Sequence, residues 1–163
     1  MISLDIKSVT DEIFALTALR GAVCGLRPDT IPPILTRDHL PALRVLVRAS
    51  FSTLVSRLSP FVADSLIEEG NPQAERPYDD RQPVTLAVDF GSRAASLTAG
   101  ASLTLKRYLE HLLALSVLEK VYLPINAAIA AEHASEASTL LSSVTILLTS
   151  SDTPADTLLP CYL

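Results

Sequence analysis

The run LTLKRYLEHLLALSVLEKVYL, residues 103–123, has helix-forming composition and is apolar on more than one side. Tyr108, Leu109, Leu112, Leu113, Leu115, Leu118, Val121 and Tyr122 cover well over half of a helical wheel. Lys106, Arg107, Glu110 and His111 crowd its start, and Glu119 and Lys120 its end. A surface helix needs one apolar stripe about 100° wide. This one therefore calls for neighbours on several sides, either as the central helix of a bundle or as a helix shared with a second copy of the chain.

On either side of that run the sequence is mostly helical in pattern. Ile2, Leu4 and Ile6 alternate with Ser3, Asp5 and Lys7, the period of a short strand over 2–7. Ser8 or Thr10 then caps a helix with Asp11 and Glu12 in its first turn, Ile13, Phe14, Leu16, Leu19 and Val23 on its apolar side, and Gly25 at its end. Pro28, Pro32 and Pro33 make 26–37 an extended connector. A second helix starts with Asp38 as N-cap and Pro41 in its first turn, carries Leu40, Leu43, Val47, Leu54 and Leu58 on one stripe, and kinks or restarts at Ser59-Pro60. It then continues from Phe61 through Glu69 to Gly70.

Residues 70–83 (GNPQAERPYDDRQP) hold three prolines and five charged residues and read as a surface loop or an arm that orders on a partner. Val84 to Phe90 alternates as a strand, although the same residues could open a helix. After Pro124, residues 125–141 form an Ala-rich helix whose polar side holds Glu132, His133 and Glu136. Residues 144–148 read as a strand or as the tail of that helix, and 150–163 as a loosely held terminus. The expected fold is mainly α: one domain over 1–163, a bundle of four to five helices with short strands at 2–7, 84–90 and 144–148.

At 163 residues, 48% of them hydrophobic, such a domain can bury a core without metal or disulfides. Cys24 and Cys161 fit no CxxC pattern, and reduced thiols are the expectation. No signal peptide and no 18-residue apolar span are visible, so the expected location is the cytoplasm or a particle assembled inside the cell. The net charge of −5 argues against nucleic acid. Arg37, Arg44 and Arg48 share one side of the second helix without interleaved aromatics, and read as its wet face. Charge is uneven, +2 over residues 1–60 and −7 over 61–163, a split that can support head-to-tail contact between copies.

Motifs that carry chemistry are missing. The five glycines form neither GxGxxG nor GxxxxGK[ST], and no GxSxG elbow is present. Glu132, His133 and Glu136, with Glu110 and His111 on the preceding helix, are the only clustered metal-type side chains. A di-iron bundle needs Glu-x-x-His on two helices, yet Thr36, Tyr108 and Ala130 stand three residues before His39, His111 and His133. The reading is therefore a non-enzymatic structural or assembly protein with no catalytic, cofactor or metal site. It would act by self-association or by docking to a larger complex, and phage connectors and adaptors supply an architectural analogy. The expected interface is Leu112, Leu115, Val117, Leu118 and Tyr122, with Asp79, Asp80 and Arg81 of the loop as outer contacts. The alternative is a small helical-bundle metal- or ligand-binding enzyme using Glu110, His111, Glu132, His133 and Glu136.

Overall fold

The computed structural model describes residues 1–24, 35–68, 85–93 and 97–150. Among these the chain is mainly α, with four helices and a small three-stranded antiparallel sheet. In chain order the elements are β1 (Ile2–Asp5), α1 (Ile6–Cys24), α2 (Leu40–Arg57), β2 (Asp64–Glu68), β3 (Thr85–Asp89), α3 (Ala99–Tyr122) and α4 (Ala127–Ser150).

The apolar excess of 103–123 is resolved inside the single chain. Helix α3 packs against α1, α2, α4 and β1. Its Leu105, Leu109, Leu113, Ala114, Leu115, Val117 and Leu118 are all fully buried. Each large aliphatic side chain so covered contributes about 1.5–3 kcal/mol relative to leaving it in water. Of the two arrangements the sequence allows, this is the central helix of a bundle.

The α3 helix begins four residues before the run quoted above, because the Thr98 hydroxyl accepts from the Ala101 N–H at 3.3 Å and so satisfies a free donor of the first turn. It ends at Tyr122, where the Ile125 and Asn126 amides bond back to the Tyr122 carbonyl at 2.9 and 2.7 Å. Asn126 then caps α4 through its Oδ1, which accepts from Ala128 and Ile129 at 3.1 and 3.2 Å. Asn126→Ala is expected to cost about 1 kcal/mol, the usual worth of such a cap, and thermal unfolding measures it.

In the sheet β3 is central, in the order β1-β3-β2. Leu86, Ala87 and Val88 are buried on both faces of this middle strand, and the alternation seen over 84–90 becomes a strand over 85–89. Ile2 and Leu4 of β1 stand opposite Val88 and Leu86, on the face covered by the helices. After Phe90 the chain turns at Gly91, whose φ of 60° suits glycine, and the Asp89 carboxylate accepts from the Gly91 N–H at 3.1 Å.

Three expectations are corrected, and the choice left open over 144–148 is decided. The strand expected over 2–7 stops at Asp5, whose Oδ1 accepts from the Lys7 N–H at 2.9 Å; helix α1 therefore starts at Ile6, ahead of Ser8 and Thr10. Asp38 lies within a 3-10 turn, Arg37–His39, and α2 begins after His39.

The helix expected over 61–69 is instead strand β2. Arg93 donates to the Pro60 carbonyl at 3.0 Å and lies over the Phe61 ring, holding the turn, and residues 64–68 pair with 85–89. Residues 144–148 are helix. Val144 and Leu148, four apart, are both buried, and the Thr145 hydroxyl bonds to the Leu141 carbonyl at 2.9 Å, so the β-branched residues meet the helical period.

No helix among the described residues is long and apolar enough to cross a membrane.

Candidate functional site

The chemistry-bearing side chains of α3 and α4 meet α1 in one seam. On α4 the helical period sends Glu132 and Glu136, four residues apart, to the solvent side. His133 turns inward and is only 7% exposed, a correction to its placement on the polar side of that helix. Its ring stacks on Tyr122 of α3, with centroids 5.8 Å apart and planes 21° from parallel. Neither ring nitrogen has a hydrogen-bond partner among the described residues.

Leaving a buried donor or acceptor unpaired costs about 1–3 kcal/mol, and ring stacking returns only about 0.5–1.5 kcal/mol. An apolar ring would be the more stable choice at this position. Burial pushes the His133 pKa below its ordinary value, and Arg20 and His111 act in the same direction; Glu136 and Glu132 oppose them.

His111 of α3 bridges the same three helices. Its Nδ1 lies 2.5 Å from Glu12 Oε1 on α1, and its Nε2 lies 3.5 Å from Glu136 Oε1 on α4. Arg20 of α1 forms an ion pair with Glu132. Glu132 and Glu136 are mostly exposed, so the ion pairs they make are worth about 0–1 kcal/mol each. They fix the orientation of α1 against α4 more than they stabilise it.

Glu110, one residue before His111, belongs to another neighbourhood. Burial raises its carboxyl pKa, opposed by Lys106, whose ammonium is 3.9 Å away, and by a hydrogen bond with the Asp5 backbone.

These five residues therefore do not surround a metal. The two carboxylates near His111 face opposite ring nitrogens, and so address one imidazole instead of one point in space. Among the described residues no three His, Cys, Asp or Glu side chains converge as metal ligands. The polar contacts of His111 are carboxylates, and His133 has no hydrogen-bond partner among the described residues.

Two clefts lie among the described residues. One of about 90 Å3 lies between α2, α3 and α4, with Leu54, Leu112 and Leu141 among its walls and Arg57, Ser116 and Glu119 beside them. Within it the Lys120 ammonium donates to the buried Ser50 hydroxyl at 3.0 Å. This is a Ser–Lys contact, but Ser50 sits inside α2, where backbone N–H groups are held by the helix ladder and supply no oxyanion donors. The other cleft, about 200 Å3, is lined by Lys7, Asp11, Phe14, Arg37, Leu40 and Arg44. Both fall below the roughly 300 Å3 at which small-molecule sites begin.

Of the expected interface, Leu112, Leu115, Val117, Leu118 and Tyr122 are 0–2% exposed within the single chain. Asp79, Asp80 and Arg81 lie outside the described residues, as do Cys161 and the side chain of Cys24. Glu12, Arg20 and Ser50 went unnoticed in the sequence because their partners are 70 to 112 residues away. No local spacing signals such a contact.

The site thus defines a helical domain whose charged groups mostly answer one another. Comparison with protein-family models, with curated proteins and with solved structures finds no match to this chain.

Proposed function

We propose that the chain is a non-enzymatic structural or assembly protein, acting by self-association or by docking to a larger complex, in the manner of a phage-type connector or adaptor subunit. The observation that carries this reading is the α3–α4 turn. Residues 123–128 are all exposed, and Leu123 and Ile125, flanking Pro124, are 63% and 54% exposed. Among the described residues the other large exposed apolar side chains (Met1, Leu19, Val45, Leu103 and Ile146) stand singly on separate elements or turns of helix.

The turn is also rigid, since Tyr122 and Asn126 hold its backbone at both ends. A pre-organised apolar tip loses little freedom when covered. Covering its two aliphatic side chains gains about 1.5–3 kcal/mol each.

Light scattering on size-exclusion peaks at tens of micromolar tests the self-association form, with the Leu123→Ser/Ile125→Ser double variant alongside. The wild type is expected to run as an oligomer. The variant is expected to dissociate, with affinity down roughly a thousandfold for two contacts of about 2 kcal/mol each. A monomeric wild type removes self-association; an oligomer unchanged in the variant removes this turn as its contact.

A further inference from the structure

The imidazole of His133, whose ring nitrogens have no hydrogen-bond partner among the described residues, sits in the first half of α4. Between Ala127 and Ala137 the fully buried side chains of α4 are Ala130, His133 and Ala137, whereas its second half contributes Val144 and Leu148. The His133 ring is thus the largest buried group in the first half of the helix, stacked on Tyr122 of α3, while Ile129 packs against the core only in part. As a neutral ring it packs there as an aromatic plate. As a cation it would carry two N–H donors with no acceptor and little water.

Its surroundings do not answer that charge. Arg20 from α1 and His111 from α3 oppose it, and Tyr122 from α3 offers only a ring face. Glu132 and Glu136 on its own helix favour it, but they are already drawn to Arg20 and His111. A protonated ring must therefore leave the seam to find water.

We propose that His133 is an acid-sensitive latch: the neutral imidazole holds the first half of α4, residues 127–137, against α1 and α3, and protonation releases it. The sign follows from linkage. The released ring takes up its proton near 6.5, while the buried ring does so only at lower pH. Between those two values the released state binds more protons, so acid favours release by up to about tenfold in the equilibrium for each pH unit crossed. Above the window the latch is shut and indifferent to pH. Glu110 works the other way, because its raised pKa makes the packed fold the better proton acceptor. A change confined to 127–137 and dependent on His133 separates the two.

The experiment is hydrogen–deuterium exchange of the full chain, corrected for intrinsic rates, at about pH 7.5 and about pH 5.5, on wild type and His133→Phe. Phenylalanine keeps an aromatic plate on Tyr122 and cannot take a proton. The expected result is a loss of protection over 127–137 in acid of up to about tenfold in the wild type, none in the variant, and retained protection over 140–150. Equal wild-type protection at both pH values, or the same acid loss in His133→Phe, overturns the proposal. Should the variant fail to fold, the wild type decides by NMR. The His133 ring proton must titrate below 6.5, together with the exchange change. Titration at or above the ordinary histidine value overturns the latch.

Discussion

Replacing Leu115 by alanine is expected to lower the unfolding free energy by about 2–5 kcal/mol, equally at every protein concentration. Leu115 is fully buried on α3, which packs against α1, α2, α4 and β1, and its truncation leaves a cavity that rigid neighbours fill only in part. For a chain of this size the midpoint should fall by roughly 2–4 °C per kcal/mol. Concentration is the informative variable. A side chain at a contact between copies would, on truncation, change the oligomer population and make the midpoint shift with dilution. A core side chain does neither. Thermal melts over a hundredfold dilution series, with light scattering at each concentration, separate the two. A mass change in Leu115→Ala would mean that α3 is shared between copies after all.

Tyr122→Ala is the second large effect, at about 3–5 kcal/mol, because removing a buried aromatic ring takes out more covered surface than any leucine does. Tyr122 is 1% exposed and its ring carries the stack on His133. The variant should therefore lose stability and also let water reach the imidazole, moving the His133 pKa back up toward its ordinary value. A double-mutant cycle with His133→Phe measures the coupling between the two rings, expected at about 0.5–1.5 kcal/mol. A His133 titration unchanged in Tyr122→Ala would show that α3 is not what keeps that ring dry.

Much of the fold was legible because the hydrophobic period is a local property. The 103–123 run announced a helix needing several neighbours, and α3 has them. Alternation in Ile2-Ser3-Leu4 and in Val84–Phe90 marked two of the three strands. Where the reading went astray, local signals were evenly balanced. Leu66 and Ile67 suit a helix as well as a strand, and what drew them into β2 was the open edge of β3. Val144 to Leu148 has strand-like residues, but the helix that begins at the Asn126 cap runs through it against α3. The seam was half visible: Glu132, His133, Glu136 and His111 could be singled out, yet their roles depend on Glu12 and Arg20 of a helix a hundred residues earlier.

Residue order alone settled that this chain is mainly helical, that it has ample apolar surface for a core, and that the 103–123 helix needs neighbours on several sides. Those outcomes depend on spacing along one segment, which every copy of the sequence carries wherever it folds. Only the tertiary structure decided that α3 is sheathed by its own chain, that β2 is a strand, and that His133 faces inward while its neighbours face water. These depend on which distant segment arrives to cover a surface or complete a ladder, and burial is a property of the pair, not of either member.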